Sequence, residues 1–335
     1  MRLAMKLKNW IVSLAAAMVL MGLPAVTQAS PDKIVGSTAC VECHKDENVV
    51  WKATHHFSTF RNLPKNKNAQ VIAKKLGIKR LKSNDTCTGC HFTMQDKGGR
   101  TRAISGISCE SCHGAGKDYI KVHSNYSGKK KATETPAEAK ARWEKAEAAG
   151  MIRPSNMYRL ATNCYSCHVV PREKLVNTGG HPAGSNFDLV AWSQGEIRHN
   201  LWHNNGKENR PGSANRLRLM HVVGTAVELE TALRAVGEAS ERKAYAVAMA
   251  RRAAAARARA TAIAKALGNV PEMAEIAKIG ASAGLKLNNK GPLTAAADKV
   301  AAAAKALSAK YDGSTFSAID SMLPGADKYK GKPAR

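Results

Sequence analysis

The sequence predicts a mainly α-helical chain with little regular sheet. Three observations support this prediction. All eight cysteines fall into four copies of one short pattern, aromatic residues make up only 5% of the 335 residues, and the last third is rich in alanine at helical spacing. So few aromatic side chains are a poor basis for a protein-only core, and we therefore expect a bound apolar group to complete it.

The repeated pattern is Cys-x-x-Cys-His. Its copies are Cys40-x-x-Cys43-His44, Cys87-x-x-Cys90-His91, Cys109-x-x-Cys112-His113 and Cys164-x-x-Cys167-His168. One copy would be weak evidence, because Cys-x-x-Cys also serves zinc and redox chemistry. In covalent haem attachment the two cysteines form thioethers to the porphyrin, and the histidine that follows binds the iron from the proximal side. That histidine is present in all four copies.

Two other interpretations of the pattern fit less well. A zinc site needs two Cys-x-x-Cys knuckles per metal ion and has no use for a histidine at the same place each time. A disulfide framework is expected mainly in small secreted chains, and adjacent pairs make poor long-range links. The pattern therefore predicts four covalently attached haem c groups, whose eight cysteines bind the porphyrins and whose four motif histidines bind the irons.

Seven further histidines are candidates for the distal iron ligands. The four favoured ones are His56, His123, His181 and His199. Six of the seven lie within residues 55–203, in the part of the chain that carries the haem motifs. A histidine in a segment so crowded with porphyrin is more often a ligand than a bystander.

Local sequence supports each of these four candidates. His56 follows Trp51 and Thr54, although its neighbour His55 is an alternative, and His123 comes soon after the third motif. Two glycines before His181 let the backbone approach a flat ring closely. His199 is preferred over His203, with which it would share one helical face. His221 is predicted to be structural, and the alternative ligands are the methionines Met94, Met151, Met157 and Met220.

The N-terminus has the features of an export signal. A basic start, "MRLAMKLK", precedes an apolar run from Trp10 to Leu23, and small residues then suit cleavage after Ala29. The run is short for a membrane-spanning helix, which needs about 20 apolar residues. We therefore expect residues 1–29 to be a cleaved signal peptide and the mature protein to be periplasmic, with an uncleaved anchor as the alternative.

The remaining chain divides by composition. Residues 30–210 hold all the cysteines, and residues 211–335 hold none and are rich in alanine and basic residues. In the first region, Thr135 and Glu138 predict a capped helix that ends at Gly150. The second region is expected to form a helical hairpin or small bundle. Its predicted helices run over about Thr225–Leu267, with a disturbance at Gly237, and over Glu272–Ile279 and Thr294–Tyr311.

At residues 34–210 the chain resembles the tetrahaem cytochrome c-554 family. The resemblance rests on the stretches "STACVECHKDENVVWKATHH", "GISCESCHGAGKDYIKVH", "LATNCYSCHVVP" and "GGHPAGSNFDLVAWSQGEIRHNLW". It implies a mainly helical multihaem cytochrome c fold with stacked haem pairs, and electron transfer in the periplasm. In its best-known member one haem lacks a distal protein ligand, and the sequence does not assign that open haem to a position here.

These features predict an electron carrier more readily than an enzyme. The alternatives are an enzyme that acts on a small nitrogen compound at a five-coordinate haem, and a subunit of a larger redox complex. The net charge of +26 favours redox partners with acidic docking surfaces. Nucleic acid is not expected as a partner, because the basic helix at Arg242–Lys265 lacks interleaved aromatic residues. Its charges also spread around the helix, so membrane contact is at most peripheral.

Overall fold

The computed structural model describes residues 30–333. The predicted signal peptide, residues 1–29, lies outside them and stays a prediction. The described chain is mainly helical, which confirms the predicted fold class. Its one sheet within residues 30–333 is an antiparallel pair of short strands. No helix in this part of the chain is long and apolar enough to cross a bilayer.

Short helices and one hairpin make up the part that carries the Cys-x-x-Cys-His motifs. In chain order they are α1 (Ser37–Val41), α2 (Lys45–Lys52), α3 (His55–Asn62), α4 (Lys67–Lys75), α5 (Asp85–His91), β1 (Thr93–Lys97), β2 (Arg100–Ser105), α6 (Cys109–His113), α7 (Ile120–Ser124), α8 (Pro136–Ala148), α9 (Met157–His168), α10 (Glu173–Asn177) and α11 (Leu189–Ser193). The helices α5, α6 and α9 each end at a motif histidine. Since residues three apart share one helical face, the two cysteines of such a motif lie on one side.

Helix α8 begins as the sequence predicts. The Thr135 hydroxyl accepts a hydrogen bond from the Glu138 N–H, and the Glu138 carboxylate accepts one from the Thr135 N–H at 2.9 Å. Pro136 occupies the first helical position. The helix ends just before Gly150, whose φ of 102° suits glycine.

The C-terminal region forms four longer helices. They are α12 (Ala214–Gly237), α13 (Ala244–Leu267), α14 (Pro271–Ser282) and α15 (Lys290–Lys310). The predicted single helix over Thr225–Leu267 is wrong, because the chain turns between α12 and α13. Side chains of α10 bind that turn: Glu173 accepts hydrogen bonds from the Ser240 and Glu241 N–H groups, and Asn177 accepts one from the Tyr245 N–H at 3.0 Å.

The small bundle is confirmed, and small side chains form its interior. In the sequence, apolar residues recur at three-and-four spacing along α13, and all of them are buried, namely Tyr245, Met249, Ala256, Ala260, Ile263 and Leu267. On α15, Val300, Ala304 and Leu307 have the same spacing and are also buried. Fully buried alanines let neighbouring helices approach closely, which is how a region with few aromatic residues builds a dense core.

Helix α9 joins the bundle to the haem-motif segment. It packs on α12, and the Tyr158 hydroxyl donates to the Glu230 carboxylate at 2.8 Å. The same hydrophobic core continues from Met157 through the bundle to Ile319. The fourth haem motif, at the end of α9, therefore lies directly against the C-terminal helices. The division at residues 210 and 211 stays a prediction of the composition.

Candidate haem centres

Each motif histidine faces one other histidine ring. The ring centroids are 6.4 Å apart for His44 and His123, 6.2 Å for His91 and His181, 6.1 Å for His113 and His199, and 6.2 Å for His168 and His56. The four facing rings are those favoured as distal ligands in the sequence. In each pair the facing histidine lies at least ten residues from the motif histidine, so the fold brings the two rings together.

The spacing of the rings fits an iron ion between them. A metal bound by two imidazoles on opposite sides, with each nitrogen about 2 Å away, separates the ring centroids by roughly 6 Å. Within residues 30–333, no group of three or more His, Cys, Asp or Glu side chains has a geometry that could hold a metal ion by itself. Two imidazole nitrogens on opposite sides would leave the other positions of a metal to a second group, and a porphyrin would supply them.

The outer ring nitrogens of two motif histidines lie within hydrogen-bond distance of the chain, and that of a third lies near a carboxylate. The Nδ1 of His113 lies 3.1 Å from the Ile152 carbonyl oxygen, and that of His168 lies 3.0 Å from the Ser185 hydroxyl. The Nδ1 of His44 is 3.6 Å from the Glu47 carboxylate. When Nδ1 donates its proton to such an acceptor, Nε2 is left free to bind a metal.

Three of the facing histidines likewise have an acceptor close to Nδ1. The Nδ1 of His123 lies 3.3 Å from the Tyr119 carbonyl oxygen, that of His181 lies 2.7 Å from the Pro182 carbonyl oxygen, and that of His199 lies 2.6 Å from the Ile197 carbonyl oxygen. Backbone carbonyls thus orient these rings, so that Nε2 is again the nitrogen available for a metal.

Burial favours the neutral form of three motif histidines. It lowers the pKa of His113 to about 4, and the nearby His199 adds to the effect. Burial likewise lowers the pKa of His91 and of His168 to about 4. Neutral imidazole is the form that binds a metal, so these rings are ready to act as ligands at neutral pH.

Of the adjacent histidines in α3, only His56 faces a motif ring. Burial lowers its pKa, whereas the His55 side chain is 89% exposed and lies 2.7 Å from the Glu196 carboxylate. The Ile107 N–H donates to the His56 carbonyl oxygen at 3.0 Å, and the Trp51 indole donates to the Ile107 carbonyl oxygen at 2.8 Å. Ile107, which Trp51 itself holds, thus anchors the backbone at His56.

The other histidines and two of the alternative methionines lie elsewhere. His203 is exposed, and His221 is buried in α12. Met157 and Met220 lie in the hydrophobic core. These positions agree with the structural role that the sequence predicts for His221.

Contacts between the motif helices define the order of the motifs in space. Helix α1, which holds Cys40 of the first motif, packs on α6 of the third motif. Helix α5 of the second motif packs on α9 of the fourth, and the Cys167 thiol lies 3.9 Å from the Gly89 carbonyl oxygen. Helix α6 packs on α9, and the Asn163 side chain donates to the Ser111 carbonyl oxygen at 2.9 Å, which connects the third motif to the fourth. The spatial order is therefore first, third, fourth, second.

Sequence reasoning missed the buried Glu110 inside the third motif. Its carboxylate accepts hydrogen bonds from the N–H groups of Val35 at 2.9 Å and of Gly36 and Gly116 at 2.7 Å. These bonds fasten the N-terminal segment, just before the first motif, to the third motif. A glutamate between two cysteines gives no signal of burial, because the same position in a solvated loop would suit any charged residue.

The haem-motif segment matches proteins of known family. Residues 39–114 match the family model described as cytochrome c554 and c-prime. A relative, cytochrome c-554 of Nitrosomonas europaea, is 28% identical over 144 residues, which are 40% of this chain and 57% of the relative. The resemblance to the cytochrome c-554 family is confirmed.

The c-554 match concerns only part of each protein. The chain spans little more than half the length of the relative, and the family model ends just after the third motif. The c-554 family consists of c-type cytochromes, so the match implies covalently bound haem c in this segment. No solved structure matches the chain.

Proposed function

We propose that the protein is a periplasmic tetrahaem c-type cytochrome that passes electrons between redox partners. The observation that carries the proposal is the set of four histidine pairs, each with centroids 6.1–6.4 Å apart. A haem with histidine on both sides of its iron supplies reversible one-electron chemistry and leaves no position at which a substrate could bind. The chain's residues therefore favour a carrier over an enzyme.

The ligand assignment follows from the same pairs. The four motif histidines would hold the irons from one side, and His123 opposite His44, His181 opposite His91, His199 opposite His113 and His56 opposite His168 would hold them from the other. In each pair, hydrogen bonds or burial hold the rings before a metal binds, so little reorganisation is needed when the iron changes its charge.

The motif order supports a continuous path through the protein. Helix α1 of the first motif packs on α6 of the third, α5 of the second motif packs on α9 of the fourth, and α6 packs on α9 between these two pairs. Haems held at these motifs would therefore be neighbours in one series. Such a series would supply a route for electrons from one end of the segment to the other.

The partners are proposed from charge. The chain carries a formal net charge of +26, and removing the predicted signal peptide takes away only three basic residues. A surface so basic attracts acidic proteins over a distance and speeds their encounter. Redox proteins with acidic docking surfaces are the expected donor and acceptor, in the periplasm to which the signal peptide would direct the chain.

The test measures haem number and electron uptake in the exported, purified protein. We expect the mass to equal that of the chain from Ser30 onward plus four haems, and a reductive titration to consume four electrons per chain. Steady-state assays should show no turnover of hydroxylamine or nitrite beyond that of free haem. Fewer than four haems, or catalytic turnover, would contradict the proposal.

A further inference from the structure

A guanidinium group of the C-terminal bundle reaches the fourth haem motif. Arg252 lies in the third turn of α13, and its Nη2 donates a hydrogen bond to the Ser185 carbonyl oxygen. The Ser185 hydroxyl is 3.0 Å from the Nδ1 of His168, and the Ser185 N–H donates to the His168 carbonyl oxygen at 3.2 Å. A single residue therefore separates the cation from the motif histidine.

The backbone around Ser185 is closely fitted to that histidine. Gly184 pairs with Val169 in an isolated antiparallel bridge, and its φ is 138°. A Cβ atom at Gly184 would lie 2.6 Å from the His168 carbonyl oxygen. Since only glycine suits this close approach, the segment that links Arg252 to His168 has little freedom to move.

The charge of Arg252 is buried and incompletely paired. Its side chain is 12% exposed, and its Nη1 has no hydrogen-bond partner within residues 30–333. The nearest carboxylate, that of Glu228, lies 3.7 Å from Nη1 and also binds Arg259. Burying a cation without full pairing costs free energy. The arrangement is therefore poorly explained by stability alone.

Other charged groups lie in the same region. Asp188 and His221 are electrostatically linked to Arg259 and Glu228, and burial raises the pKa of Glu228. Arg252 is the group that the hydrogen bonds of Ser185 connect to His168.

We propose that Arg252 is a positioning residue through which the C-terminal bundle raises the reduction potential of the haem held by Cys164, Cys167 and His168. A fixed positive charge near an iron favours its reduced form, which carries one positive charge fewer. This inference rests on the proposed function. It assigns a redox role to helices that lie outside the part of the chain matched by the cytochrome family model.

The experiment compares the midpoint potentials of the four haems in matched variants of the full, haem-loaded protein. Arg252→Gln removes the charge, and Arg252→Lys keeps it. Arg251→Gln is the control, because Arg251 is the exposed neighbour on the same helix. Glu228→Gln leaves Arg252 with less compensation. Potentials are read by spectroelectrochemical titration, and each variant is first checked for four low-spin haems by mass and by electron paramagnetic resonance.

We expect Arg252→Gln to lower one midpoint potential, so that the ratio of reduced to oxidised haem at the wild-type midpoint falls several-fold. Arg252→Lys should retain most of the wild-type potential, Arg251→Gln should shift no single haem, and Glu228→Gln should raise the potential of the same haem. Four unchanged potentials in Arg252→Gln, or an equal shift in Arg251→Gln, would overturn the inference.

Two outcomes separate this inference from the proposed function. If Arg252→Gln does not fold, Arg252→Leu also removes the charge and leaves no polar group to bury, and unchanged potentials in it overturn the role of the cation. If the wild-type protein lacks four low-spin haems, the proposed function itself fails. Unchanged potentials in variants that keep four low-spin haems overturn only the inference about Arg252.

Discussion

Replacing His56 by alanine is expected to open one haem without releasing it. The His56 ring faces only the ring of His168, at 6.2 Å between centroids, and the thioethers to Cys164 and Cys167 do not depend on it. One iron of four therefore loses its distal ligand, while the other three histidine pairs are unchanged. The expected size of the effect is one five-coordinate haem per chain.

The assay is carbon monoxide binding to the reduced protein, together with the spin state of the oxidised protein. The variant should bind one carbon monoxide per chain, and one quarter of its ferric haem should be high-spin. The control is His55→Ala, because His55 is adjacent in sequence but 89% exposed and paired with Glu196. That variant should bind no carbon monoxide. If His56→Ala leaves every haem low-spin and closed to carbon monoxide, the assignment of His56 is wrong.

Three further predictions concern other parts of the molecule. Glu110→Ala should lower the free energy of unfolding by about 3–5 kcal/mol, since three backbone N–H groups lose a buried acceptor. Denaturant titration against the wild type measures the loss, and a loss below about 1 kcal/mol would contradict the prediction. Ala256→Leu should lower the free energy of unfolding by about 1–3 kcal/mol, because the larger side chain overpacks the bundle. Ala255 is exposed, so Ala255→Leu should leave thermal unfolding nearly unchanged. Glu47→Gln should raise the reduction potential of the haem at His44, because a carboxylate 3.6 Å from Nδ1 favours the oxidised iron. An unchanged potential in redox titration would show that Glu47 does not tune this haem.

The local signals in the sequence were sufficient for the parts of the fold that depend on neighbouring residues. The capping pair Thr135 and Glu138 predicts the start of α8, and the apolar spacing from Tyr245 to Leu267 predicts the buried face of α13. The sequence predicts a disturbance at Gly237, where α12 ends, but not the turn between α12 and α13. That turn depends on Glu173 and Asn177, which are distant in sequence and bind the turn through hydrogen bonds.

The same distinction holds for the candidate haem centres. The motifs and the four facing histidines are visible as residue types in the sequence, but which ring faces which is a property of the folded chain. Nothing near His123 indicates that it lies opposite His44 and not opposite His113, the motif histidine nearest to it in sequence. The buried roles of Glu110 and Arg252 were also missed, because a charged residue in a polar or alanine-rich stretch has the pattern of a solvated one.

The most direct test of the electron-carrier account is electron paramagnetic resonance of the fully oxidised, purified protein, integrated against its haem content. Four histidine pairs predict four low-spin haems per chain and no high-spin signal. A high-spin ferric signal equal to one haem would contradict the account, because it would mean that one iron lacks its distal histidine and is open to a small ligand.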